Sequence, residues 1–261
     1  MKRLKYTTQV IDRVETEILS GGSGPSLLYL HSADGIEDAE AVLERLADQF
    51  TVFAPSHPGF GGSALPTRFS SVDDLSFFYL DLIDELKLSE VLLVGSSFGA
   101  WIAAEIATRC HHHIKEIVLA GAVGAKFADR ETREIADLFS VPDSEQGRYL
   151  YARPRSARDY SQLSVEQLTR IAKNREAFSL YAWSPTLFNP KLRQRLHRIK
   201  VPCHVAYGEL DKVVSPDYGR QFAHHLPACS FQVVAEAGHL IHVDQPDAFV
   251  NAIERAGIHH G

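Results

Sequence analysis

Ser97 lies in Gly95-Ser96-Ser97-Phe98-Gly99, directly after the apolar run Val91-Leu92-Leu93-Val94 and directly before an alanine-rich stretch. A G-x-S-x-G sequence between a buried strand and a helix forms a sharp turn that lifts the serine hydroxyl clear of the sheet. That hydroxyl is a weak nucleophile at neutral pH and needs a base, which is held in turn by a third group. Gly208-Glu209-Leu210-Asp211 and Ala237-Gly238-His239 each follow a strand-like run further along the chain. Reactive groups of open parallel sheets collect at the carboxyl ends of strands, so Ser97, Asp211 and His239 are expected to meet at one rim. His239 would then accept the Ser97 proton while Asp211 fixes the His239 tautomer. Glu209 and Asp217 compete for the acid's role, and Asp211 best fits a loop apex.

The elements that must position these residues follow from apolar patterning. Short doubly buried strands are read at residues 26–30, 51–54, 91–94 and 117–120, alternating with helical patterns at 36–49, 72–86 and 98–109. Residues 4–19 read as edge strands. The rhythm resumes with strands at 203–207 and 231–234 and helices at 216–226 and 244–255. The order predicts an α/β fold, a mostly parallel doubly wound sheet built from residues 1–124 and 201–261.

Residues 125–200 interrupt that core and read as a helical cap. They carry 15 Lys and Arg against 9 Asp and Glu, in a chain whose net charge is −6. Phe127, Phe139, Tyr149, Tyr151, Tyr181 and Trp183 are candidates for the roof of a pocket or for the cap's own core. The stretch Tyr149–Arg158, with Arg153, Arg155 and Arg158, would suit a carboxylate-bearing substrate, because arginine binds carboxylates bidentately. The alternative is a solvated basic surface or one paired with the acidic body.

Composition removes several function classes. The 261 residues are 45% hydrophobic and 23% charged, which is globular, and the acidic balance with a pI near 6.1 argues against nucleic acid. No run of 18 apolar residues is present and residues 1–20 lack a signal-like apolar stretch, so no membrane span and a cytoplasmic location are expected. Cys110, Cys203 and Cys229 are odd in number and far apart, as reduced thiols would be. No metal or other cofactor is expected: His111, His112 and His113 are consecutive and read as surface residues. Gly59-Phe60-Gly61-Gly62 precedes Pro66 rather than a helix, and so reads as a turn shaped by His57 instead of a phosphate cradle. Asp34 with Glu37 reads as a helix cap. The oligomeric state is left open.

The chain resembles the α/β-hydrolase fold family outside the insertion. The resemblance rests on His31 to Gly35, on Pro55 to Ser63, on the Gly95–Gly99 turn, on Gly208–Asp211 and on Gly238-His239 followed by Gln245-Pro246. It implies a helical cap on a single-domain core, as in carboxylesterases, lactonases and carbon–carbon bond hydrolases. It also implies an oxyanion hole from the backbone N–H groups of Ala33 and Phe98. Ser32 stands where the family usually has glycine, which puts the geometry of that loop in question. Trp183, Tyr151, Arg153 and His242 are the candidate substrate contacts. The implied activity is a cofactor-independent serine hydrolase for a small ester or lactone, with two alternatives: a carbon–carbon bond hydrolase of diketone-type substrates, and a small-ligand receptor with little turnover.

Overall fold

The structure, a computed structural model, describes residues 3–110, 112–129, 131–153 and 160–258. Eight strands form one sheet: β1 (Leu4–Ile11), β2 (Val14–Gly22), β3 (Ser26–Leu30), β4 (Thr51–Pro55), β5 (Val91–Ser96), β6 (Ile114–Ala120), β7 (Cys203–Gly208) and β8 (Cys229–Val234). Their spatial order is β1-β2-β4-β3-β5-β6-β7-β8. β1 pairs antiparallel with β2 and β2 with β4, and every other pairing is parallel. The two antiparallel strands are the expected edge. All six residues of β5 are buried, as a strand covered by helices on both faces must be.

Helices α1 (Glu40–Leu46), α2 (Val72–Glu85) and α3 (Phe98–Arg109) connect the first parallel strands. Between β6 and β7 lie α4 (Asp143–Leu150), α5 (Val165–Ala182) and α6 (Leu192–Arg195), the helical cap insertion. α7 (Pro216–His224) joins β7 to β8, and α8 (Ile241–Asp244) and α9 (Pro246–Ile258) close the chain. Two apolar layers flank the sheet. One holds α2, α3, α7 and the inner face of the cap, and the other holds α1 and α9.

Three expectations needed correction. The helix read over 36–49 is a short 3-10 turn at Glu37–Ala39 followed by α1, and its first residue is preceded by Ile36 with no side-chain cap. The N-cap position is thus Ile36 rather than Asp34, and Glu37 turns to Arg170. The helix read over 244–255 is broken at Gln245, whose φ of −132° and ψ of 65° are non-helical because Pro246 follows.

One stripe of α5 ties the cap to the core, beside backbone bonds such as Leu240 N–H to the Leu150 carbonyl and Ala136 N–H to the Val213 carbonyl. Arg170, Asn174, Ala177 and Tyr181 recur at helical spacing and face the body. Arg170 forks onto both carboxylate oxygens of Glu17 at 3.0 and 2.9 Å and reaches Glu37 at 2.7 Å. Asn174 accepts from the Gly61 N–H and donates to the Asp34 carbonyl, and Tyr181 donates to the Pro58 carbonyl. The turn at residues 57–62 is thus the cap's docking surface. Burial raises the Glu17 pKa, but the hydrogen bonds from Arg170, Gly62 and Ser56 outweigh it and hold the carboxyl below its ordinary 4.5. Removing one partner of such a half-buried pair strands the other charge. Arg170→Met is expected to cost about 1–3 kcal/mol of stability, read by urea unfolding, and Arg170→Lys less. A Met variant as stable as wild type would show that the fork does not hold the cap.

Candidate active site

Ser97 stands alone between the end of β5 and the start of α3, with φ 54° and ψ −112°. A non-glycine residue held in such a region costs on the order of 1–3 kcal/mol. Backbone bonds on both sides offset that cost: the Ser97 N–H donates to the Ala120 carbonyl at 2.8 Å, and the Ser97 carbonyl accepts from Ala100 and Trp101. The flanking glycines are steric necessities. A Cβ on Gly99 would lie 2.0 Å from the Leu30 carbonyl oxygen, and one on Gly95 would lie 2.5 Å from the Ala100 Cα. The turn can be this tight only because both side chains are missing.

β7 and β8 deliver the other two groups. His239 Nε2 is 2.7 Å from Ser97 Oγ, and His239 Nδ1 is 2.8 Å from Asp211 Oδ2. Asp211 cannot donate as a carboxylate, so Nδ1–H donates to it, leaving Nε2 to accept the Ser97 proton. The second Asp211 oxygen accepts the N–H groups of Val213 and Val214 at 2.8 and 3.0 Å, which fixes the carboxylate and satisfies its charge. All three residues are buried. Glu209 is exposed and accepts from the Glu236 N–H, and Asp217 is exposed on α7 beside Arg220. Geometry thus separates Asp211 from its rivals.

The loop after β3 is held by two closely packed histidines whose ring centres are 3.7 Å apart, with the rings tilted by 31°. The His57 N–H donates to His31 Nε2 at 2.9 Å, so His31 carries its proton on Nδ1, which donates to the Ser32 carbonyl at 2.6 Å. His57 in turn donates from Nε2 to the His31 carbonyl and accepts the Tyr79 hydroxyl on Nδ1. Both rings must stay neutral for this pattern. Burial pushes the His31 pKa down to about 4 and that of His57 well below 6.5. Ser32 is not strained; the left-handed position of the loop is Gly35, at φ 104°. A serine at 32 therefore costs no backbone strain.

A cavity of about 260 Å³ opens over Ser97 and is bordered also by Ala33 and Phe98. Its walls are mainly apolar, with Phe139 stacked on Phe178 at 5.0 Å and Phe178 edge-on to Phe98 at 5.2 Å. The expected substrate contacts fall elsewhere. Trp183 is 60% exposed and touches Phe139 from outside, Arg153 is exposed, and neither they nor Tyr151 line the cavity. His242 is buried beneath the turn, 3.3 Å from Ser96 Oγ; burial, and secondarily His239, hold its pKa down at about 4. Arg155 and Arg158 lie outside the described residues, as does His111; His112 and His113 are partly or fully exposed, and no metal-binding cluster is found among the described residues.

The cavity takes its polar groups from residues that sequence reasoning missed. Arg175 and Ser179 lie with Phe178 on the face of α5 turned from the docking stripe, and Asp143 and Gln146 come from α4. Spacing of three and four along α5 was the available signal. Among the described residues Arg175 is the one basic side chain lining the cavity, and it is paired with Asp143 at 2.7 Å and with the Tyr160 hydroxyl. Asp34 borders the same space. Arg170 spends its charge on the body.

The sequence profile of the Alpha/beta hydrolase family matches residues 18–252. The chain is similar to the 2-hydroxy-6-oxo-2,4-heptadienoate hydrolase of Pseudomonas putida, 23% identical over 92% of this chain and 91% of that one. It is similar also to 3-oxoadipate enol-lactonase 2 of Acinetobacter baylyi, 23% identical over 88% and 87%. Among solved structures, a bacterial membrane phospholipase A superposes with a TM-score of 0.81 at 20% identity, covering all of this chain and 88% of the other. No described helix is long and apolar enough to cross a membrane.

Two outcomes follow. Asp211→Asn should lower turnover by about 10⁴, whereas Glu209→Gln should stay within about twofold of wild type, both read with any substrate the wild type turns over; the reverse ranking would move the acid. Stability should also depend on pH through His31, His57 and His242. Unfolding restores their ordinary pKa near 6.5, so below that pH the unfolded chain takes up protons that the folded one refuses, and stability falls as pH drops from about 6.5 to about 4. Melting temperatures across that range check this, and a flat profile would contradict three buried neutral rings.

Proposed function

Since the chain belongs to the alpha/beta hydrolase family, we propose that it is a serine hydrolase attacking the carbonyl carbon of a small, largely apolar substrate. The observation that carries the reading is the buried relay from Asp211 through His239 to Ser97, opening on an apolar cavity. Ser97 Oγ would add to the carbonyl as its proton passes to His239 Nε2, with Asp211 stabilising the imidazolium. The N–H groups of Ala33 and Phe98 would receive the developing oxyanion. Collapse expels the leaving group, which takes the proton from His239, and water activated by the same histidine releases the acid from Ser97.

The bond cleaved is read first as carbon–carbon, in a diketone-type compound whose leaving carbon departs as an enolate. Similarity over more than nine-tenths of the length to a hydrolase of 2-hydroxy-6-oxo-2,4-heptadienoate supports that reading. An ester or lactone is the second reading, supported by the enol-lactonase similarity and by a relay that serves either bond. A ligand receptor without turnover is the outcome left if neither is cleaved.

Among the described residues the charge at the cavity supports a neutral substrate, since Arg175 is paired with Asp143 and Asp34 stands nearby. Neutral substrates should therefore be processed at least as well as their free-acid analogues, with little effect of salt. Matched diketones, esters and lactones, each as free acid and methyl ester, assayed on wild type and Ser97→Ala, test both points. Turnover of a diketone that Ser97→Ala lacks is the expected result. Ester or lactone turnover without diketone cleavage would move the assignment to the second reading. A free acid preferred more than tenfold, with the preference shrinking in salt, would restore the basic lid.

A further inference from the structure

A second serine–histidine–carboxylate relay lies away from the cavity, on three adjacent strands. Val118, His204 and Ser230 are aligned across β6, β7 and β8, and Glu116 is two residues before Val118 on the same face. Ser230 Oγ is 2.6 Å from His204 Nδ1, and His204 Nε2 is 2.5 Å from Glu116 Oε1. Glu116 is buried, His204 half-buried, and Ser230 exposed on the edge strand. The other Glu116 oxygen is buried without a hydrogen-bond partner. Among the described residues the imidazole is the side chain that hydrogen-bonds this carboxylate, which fixes the orientation of the ring.

From this geometry we infer that Ser230 is an activated hydroxyl, a site of covalent modification by acyl and phosphoryl electrophiles. With Nε2–H donating to Glu116, Nδ1 is the acceptor for the Ser230 proton. The arrangement has the parts that define an activated nucleophile: the hydroxyl within reach of a base, and the base oriented by a third group. In the step proposed, Ser230 Oγ bonds to the phosphorus of a fluorophosphonate, the P–F bond breaks, fluoride leaves, and the proton moves to His204 Nδ1. An activated ester reacts in the same way, expelling its phenolate. Ser230 is exposed on the edge strand and is not part of the cavity over Ser97, so the reaction proposed is a single stoichiometric event rather than turnover.

The inference is independent of what Ser97 does and is tested without it. Ser97→Ala is incubated with a fluorophosphonate, and adducts are quantified by peptide mass spectrometry over time. Ser230 is expected to label at least tenfold faster than the exposed serines Ser23 and Ser161 of the same molecules. Glu116→Gln, nearly isosteric, and His204→Gln should each bring Ser230 down to that background. Labelling of Ser230 at the rate of the other exposed serines in the parent variant overturns the inference, whether or not the two further variants fold. So does fast labelling that persists in folded His204→Gln.

Discussion

The left-handed backbone of Ser97 is the constraint on which the site depends. It can be held only if α3 begins directly on the ends of β3 and β5, and that closeness demands Gly95 and Gly99. The same contact brings the loop after β3 beside the nucleophile, so that Ala33 and Phe98 border one space. A cost of a few kcal/mol in backbone strain is offset by bonds from Ser97 to β6 and α3. Strain at this position thereby turns one hydroxyl toward the cavity.

Around that turn, polar groups in the interior are neutral or paired. His31 and His57 stay uncharged and spend both ring nitrogens on backbone and on Tyr79, which makes the loop after β3 a rigid part of the wall. Their placement also links the site to the cap, because the turn shaped by His57 carries the carbonyls and N–H groups on which α5 docks. One face of α5 holds the cap down while the next faces the cavity. The roof is therefore set by the same helix that binds the core.

Most of the fold was legible because doubly buried strands and small-residue helices leave strong patterns. The relay was legible because a catalytic strand end is followed closely by its reactive residue: Ser97, Asp211 and His239 each lie within a few positions of an apolar run. The cavity walls were not. Trp183 looked like an anchor by chemical type yet packs on the outside of Phe139, whereas Arg175 and Phe178 looked ordinary and face inward. Orientation of a side chain on a cap helix depends on which stripe docks, and that stripe is chosen by Glu17, Glu37 and Gly61, far away in sequence. Composition does not record pairing either: Arg170 is spent on Glu17 and Glu37 of the body, whereas Arg175, Arg133 and Arg148 pair with acids of the insertion itself.

The central claim is that Ser97 becomes covalently bonded to the acyl part of the substrate. Rapid mixing with p-nitrophenyl acetate, acid quench within the first turnover and intact-mass followed by peptide analysis measures it directly. An acetyl group accumulating on Ser97, at the rate of the initial release of nitrophenolate, is the predicted result. Turnover with no adduct on Ser97, or with Ser97→Ala releasing nitrophenolate at the wild-type rate, would contradict it.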